Sequence, residues 1–147
     1  MTPDRPSSLK EQLVGTWLLV SWEQRRSDGT KIQRYGAKPT GIAFFDAEGR
    51  YIITVMRSDR ANYASNALWA GTAEDNEATA DGTITYFGTY VASDAESSIA
   101  IHIEGSSFPN WNGADQTRVV VITGSQLTLT VNLPNGEVVD VIWERAT

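Results

Sequence analysis

The chain has no cysteine and a single histidine, and its 12 lysines and arginines are outnumbered by 18 aspartates and glutamates. Without thiols there are no disulfides, thiolate metal sites or cysteine nucleophiles, although that absence does not identify the compartment. One histidine also leaves a zinc site short of the several nitrogen or sulfur ligands it ordinarily recruits, and gives haem ligation only weak support. A net charge of −6 works against phosphate backbones and anionic lipid, so nucleic acid is not an expected partner. Long apolar runs are missing as well. No stretch approaches the roughly 18 apolar residues of a membrane span, and the start, MTPDRPSSLKEQ, lacks the apolar core of a signal peptide. A soluble, cytoplasmic protein with no membrane partner is expected. Asp75, Glu77 and Asp81 lack the glycine and twelve-position pattern of a calcium loop, and no GxGxxG, P-loop or GxSxG occurs. No metal and no cofactor are expected.

What is present is ordinary globular composition, 41% hydrophobic and 20% charged over 147 residues. Such a chain is one domain's length and buries roughly 70% of its unfolded surface, so a single domain over residues 1–147 is expected. Ser8-Leu9-Lys10-Glu11 fits a capping box, with a short helix from Leu9 to Val14 that Gly15 stops. From Trp17 onward the signal is β: WLLVSWEQ, GIAFFD, RYIITVM, TITYFGTYVA, SIAIHIEG, TRVVVIT, QLTLTVNL and EVVDVIWER are rich in β-branched and aromatic residues. About eight strands is the number at which a closed barrel is filled by side chains or holds one small ligand. Ala47-Glu48-Gly49, Gly124-Ser125 and Pro134-Asn135-Gly136 supply hairpin turns between adjacent runs, so sequential strands are expected to pair antiparallel.

QLTLTVNL alternates cleanly, with Leu127, Leu129, Val131 and Leu133 on one face. RVVVIT and YIITV are apolar on both faces, which predicts an outer face covered by a helix, a loop or a second subunit, in the simplest case a homodimer. Residues 58–82 lack period-two patterning and contain a short helix from Ala73 to Ala80; a connection this long usually caps something or moves.

Gly15-Thr16-Trp17 on the first strand and Trp143-Glu144-Arg145 on the last resemble the Gly-x-Trp signature of the lipocalin superfamily. That resemblance implies that Arg145 packs over Trp17 as a cation–π contact. LVGTWLLVSWE, PTGIAFFDAEGRY, TYFGTY, LTL and the Pro-Asn-Trp-x-Gly-x-x-Gln-x-Arg run from Pro109 to Arg118 are similar, in order, to the bacterial and fungal lipocalin-like domain proteins. The resemblance implies an all-β, up-and-down antiparallel barrel with a short N-terminal helix, and a small, mostly apolar molecule bound inside. Some similar barrels act as cofactor-independent isomerases or cyclases on polyketide- or terpenoid-like substrates. The pattern leads one to expect His-His where this chain has Ile101-His102, so a role needing a histidine pair has no support.

Chemistry rests on few residues. Imidazole is the side chain suited to moving protons near neutral pH, so His102 is the candidate general acid or base. It shares a strand face with Ala100 and Glu104, while Ile99, Ile101 and Ile103 take the other; alternation favours isoleucines inward and His102 outside, whereas the family resemblance favours a pocket lined by His102. Tyr86 and Tyr90 share a face with Gly88 between them. Tyr86 is the candidate hydrogen-bond donor to a carbonyl or enolate, and the alternative is that both tyrosines simply fill the barrel. Asn110 and Trp111 follow Pro109 on a rim loop, as ligand contacts or as the loop's own fasteners. Gln116 and Arg118 begin the next strand. Arg118 either anchors a carboxylate or phenolate bidentately or pairs with Glu104 outside. Trp69, Tyr90 and Trp111 complete the expected aromatic grip. Three readings stay open: ligand binding, an isomerase or cyclase using the same pocket, and a dimeric interaction module with a packed barrel.

Overall fold

Each of the eight apolar runs forms a strand in the computed structural model, which describes residues 7–146. After a helix α1 (Leu9–Leu13) come β1 (Gly15–Arg25), a two-residue β2 (Lys31–Ile32), β3 (Thr40–Phe45) and β4 (Arg50–Met56). A second helix, α2 (Ala73–Asp81), precedes β5 (Thr83–Ser93) and β6 (Ser98–Ser106). A 3₁₀ turn at Pro109–Trp111 then leads to β7 (Asp115–Thr123), β8 (Gln126–Asn132) and β9 (Val138–Arg145). The strands pair antiparallel in the order β1-β3-β4-β5-β6-β7-β8-β9, and β9 returns to β1. That last pairing closes an eight-stranded barrel and removes its edges. β2 stands apart as a short ribbon on the end of β1, through Gln24 opposite Ile32. Residues 1–6, the first half of the start MTPDRPSSLKEQ in which no signal-peptide core was read, and Thr147 lie outside the described residues.

Alternation decides what fills the interior. Tyr51, Ile53 and Val55 of β4, Ile99, Ile101 and Ile103 of β6, and Leu127 and Leu129 of β8 are all buried in one core. Their neighbours along each strand point out, as the two-residue period requires. The outer surface of β1, β3, β4 and β5 is also apolar. Leu18, Val20, Phe44, Ile52 and Phe87 remain well exposed, and Phe44, Ile52 and Phe87 are direct cross-strand partners. Val121 is exposed too, so neither α1 nor α2 supplies the cover that the doubly apolar strands predicted.

One end of the barrel is sealed. Trp17 and Arg145 are paired across the β1–β9 seam, which puts their side chains on one face, and the guanidinium carbon sits 4.1 Å from the indole centroid. Arg145 also donates to the carbonyls of Val14, at 3.1 Å, and Gln12, while the Trp17 indole N–H donates to the Leu13 carbonyl at 2.9 Å. These bonds satisfy the last carbonyls of α1, which a helix leaves without partners. Leu9 and Leu13 thereby plug the bottom. The helix ends at Leu13, one residue short of the expected Val14, and Gly15 opens β1 instead of stopping the helix. A side chain at Gly15, where φ is +133°, would come within 2.9 Å of the Arg145 guanidinium.

The opposite end carries the long connections. The 57–82 segment is pinned at its base by the Arg57 amide on the Gly82 carbonyl, 2.8 Å, and by the Arg57 side chain on Asp59 and on the Arg34 carbonyl. α2 extends one residue beyond the expected Ala80, starts in a full capping box at Thr72, and buries none of its residues. Between β5 and β6 the register shifts at Gly88, where any side chain would collide with the His102 carbonyl. The extra residue is Glu104, and the resulting bulge bends the wall beside Tyr86.

Arg145→Met is expected to lower the unfolding free energy by about 2 kcal/mol, through the lost cation–π contact and two orphaned carbonyls. A lower urea midpoint at unchanged slope would show this, and an unchanged midpoint would contradict the seal.

Candidate functional site

The register of β6 against β7 sorts the candidate residues between the two faces of the wall. Ile99 lies opposite Arg118 and Ile101 opposite Gln116, whereas His102 lies opposite Asp115. Because the isoleucines face inward, Arg118 and Gln116 face inward with them, and His102 and Asp115 face out. Arg118 is only 4% exposed.

His102 is therefore corrected from a cavity acid/base to an outer-surface residue. Its side chain is 48% exposed and its Nδ1 sits 2.8 Å from an Asp115 carboxylate oxygen. The cause is the alternation itself: turning His102 inward would put three isoleucines into water. Trp69 is corrected likewise, being 93% exposed on the 57–82 connection and gripping nothing inside. Tyr90 does face in, but its hydroxyl donates to the Asp46 carbonyl at 2.6 Å, and Asp46 starts the β3–β4 turn at the sealed end. It fastens that turn instead of meeting a ligand. Asn110 is exposed on the 3₁₀ turn, and the loop is fastened by Asn112, whose side-chain oxygen accepts from the Ser106 amide at 2.8 Å.

Tyr86, Trp111, Gln116 and Arg118 do come together, and Tyr86 is their hub. Its ring meets Trp111 edge-on at 5.3 Å and Tyr51 at 6.0 Å, and the Arg118 guanidinium carbon lies 5.9 Å from its centroid. Trp111 is half-buried, braced from outside by Phe108 at 5.9 Å. The Pro-Asn-Trp turn thus places an indole over the interior, as a rim residue should. Arg118 does not pair with Glu104, which instead meets Arg50 at 3.5 Å. Its Nη2 donates to the Gln116 side-chain oxygen at 2.6 Å and its Nη1 to the Thr117 carbonyl at 3.3 Å.

The sequence reading missed Tyr51. It is buried between Phe45, at 6.2 Å, and Tyr86, and its hydroxyl has no hydrogen-bond partner among the described residues. The signal was available, since Tyr51 continues the inward period of Ile53 and Val55. Trp22, Ile84, Val131 and Leu133 pack on the core and stay partly exposed at the open end. Tyr35, from the β2–β3 connection, leans edge-on against Trp22 at 5.2 Å. Gln24 is buried there and donates to the Glu137 carboxylate at 2.6 Å. Below this level the barrel is filled by side chains. Two external depressions, of about 290 and 270 Å³, lie beside α1 and over the β5–β6–β7 surface around His102. Among the described residues no three histidines, aspartates or glutamates cluster as metal ligands, and no helix is long and apolar enough to cross a membrane.

Burial raises the Tyr51 pKa strongly; Tyr86 adds to the rise and the Arg118 guanidinium opposes it. Burial also raises Tyr35 and Tyr90.

This chain belongs to the lipocalin-like domain family, whose family model matches residues 14–146. No curated protein matches it. Among solved structures it is similar to a redesigned β-barrel, at TM-score 0.47 and 14% identity over 96% of this chain and all 100% of that one. A de novo designed fluorescence-activating β-barrel gives TM-score 0.47 and 16% identity, with 96% of this chain and 100% of that one covered. A point mutant of the fluorescent protein UnaG gives 0.43 and 13%, over 92% of this chain and 97% of that one.

Up to the unfolded tyrosine value of 10.0, Tyr51 is protonated both folded and unfolded, and its contribution to stability is complete. At higher pH the unfolded chain loses a proton that the folded chain keeps, so stability falls as pH rises toward the folded value. Tyr51→Phe is expected to flatten this alkaline fall in urea midpoints. At neutral pH the variant should be at least as stable as the parent, because the deleted hydroxyl has no partner. Equal alkaline slopes for parent and variant would count against the buried, unpartnered phenol.

Proposed function

We propose that this chain binds a small, mostly apolar molecule in the open end of its barrel. The observation that carries the reading is the half-buried rim of Trp22, Ile84, Trp111, Val131 and Leu133 above a fully packed floor. Apolar groups partly wet in a concave end gain by excluding water around a guest, and such ends are where barrels take ligands. Membership of the lipocalin-like family supports the same reading. Trp111 covers the guest from the rim, and Tyr86 forms the wall beneath it. The isomerase or cyclase alternative loses the base it was built on, since His102 stands outside. The net charge of −6 keeps nucleic acid off the list of partners,.

Phenylnaphthylamine, a neutral dye that brightens in dry surroundings, tests the proposal. Saturable, blue-shifted fluorescence is expected. Trp111→Ala should weaken binding about tenfold, the scale of one large buried aromatic, while His102→Ala leaves it unchanged. Absence of any saturable signal would overturn the reading.

A second reading is favoured by the exposed Leu18, Phe44, Ile52 and Phe87 surface: a copy of the same chain covers it. Apolar patches of this kind on soluble proteins mark interaction sites. Sedimentation should then show a concentration-dependent dimer that Ile52→Glu dissociates. A parent that stays monomeric at every concentration contradicts it.

A further inference from the structure

We infer that a second copy of this chain covers the apolar outer face about a two-fold axis that sets Arg50 of each copy against the partner's Glu144. This deepens the second reading above and rests on it. The exposed apolar side chains form a strip that crosses the strands obliquely. Leu18 on β1 lies opposite Ile42 on β3; two residues further along β3, Phe44 lies opposite Ile52 on β4, and Ile52 lies opposite Phe87 on β5. Directly opposed residues share a face, so the four strands present one continuous surface. At the β5 end Phe87 is seated over its partner Gly105, where even a Cβ would come within 2.7 Å of the ring. The ring is propped on backbone and still 48% exposed. Such a pre-ordered aromatic loses little freedom when a partner packs on it.

Charge borders the strip on one long side only, the side toward the sealed end. β9 continues the strip with the half-exposed Ile142, and Glu144 lies two residues nearer the sealed end, opposite Leu18. Arg50 stands at the other end of the same side, two residues before Ile52. Glu144 is exposed and makes no ion pair among the described residues. The Arg50 side chain is 64% exposed and meets Glu104 at 3.5 Å. The opposite long side is neutral, with Thr54 opposed to Thr85 and Met56 to Thr83. A negative end and a positive end on one side make the face complementary to itself. A two-fold axis lying between the two faces and crossing the strip at mid-length, near Phe44, exchanges the ends and keeps the sides. Arg50 then meets the partner's Glu144 twice, and the neutral sides meet each other. Self-match of one patch is what an isologous interface requires, and it singles out a second copy as the occupant. Edge-to-edge pairing is closed to the barrel, because β9 already pairs with β1,.

Sedimentation equilibrium of charge-reversed variants tests the arrangement. Glu144→Arg and Arg50→Glu should each raise the dimer dissociation constant about tenfold, since each turns two attractions into two repulsions. The chain carrying both reversals should return to within about threefold of the parent, a recovery that loss of folding would not give. Glu74→Lys, the same change in charge placed out on α2, should leave the constant unchanged. A dimer that Ile52→Glu dissociates but that the reversals leave alone, or single reversals that the double variant does not relieve, would overturn the two-fold arrangement and leave the second reading standing. A parent that stays monomeric at every concentration would overturn both. So would a monomer that co-sediments with phosphatidylcholine vesicles, which would assign the face to lipid.

Discussion

Everything in this molecule depends on β9 closing against β1. Once that seam forms, the sheet has no free edge among its eight barrel strands, and each strand must choose an inside and an outside. The choice follows from the residues with most to lose in water. Three isoleucines turn β6, Leu127 and Leu129 turn β8, and Tyr51, Ile53 and Val55 turn β4. The seam also makes the two ends unequal. Register places Arg145 opposite Trp17 near the end of the seam, where the guanidinium covers the indole and ties down the carbonyls of α1. One end is sealed by chemistry that a helix terminus needs in any case, and the other is left to loops.

That asymmetry frames the polar groups inside. Arg118 and Gln116 face inward because they follow the isoleucine register. A buried guanidinium without a carboxylate is a standing electrostatic cost, and natural cores seldom keep one idle. Two neighbours make it tolerable, with Tyr86 lending its ring face and Gln116 its oxygen.

Strands, turns and the helix positions were readable from periodicity because local pattern and tertiary burial agree in this chain. The sealed end was readable from the Gly-x-Trp and Trp-Glu-Arg pair. The site was half readable. Arg118, Gln116, Tyr86 and Trp111 lie in or beside the pattern that also carries the family resemblance, and they do converge. His102 stood out for its acid/base chemistry and for the family resemblance, neither of which carries a direction; the alternation of Ile99, Ile101 and Ile103 already pointed it outward. Trp69 was offered as part of an aromatic grip, but residues 58–82 have no period to orient a side chain. Tyr51 was overlooked because it sits in an ordinary apolar run, and only contact across the barrel shows that its hydroxyl lacks a partner. The helix boundary missed by one residue because Gly15, seen alone, reads as a stop; its role is to leave room for Arg145.

The central claim is that the barrel's inside, not its apolar outside, is the binding surface. Methyl-resolved NMR during titration with phenylnaphthylamine separates the two, because leucine, valine and isoleucine mark both faces. Shifts in Ile84, Val131 and Leu133 with Leu18, Val20 and Ile52 undisturbed are the result this account predicts. Shifts confined to Leu18, Val20 and Ile52 would contradict it.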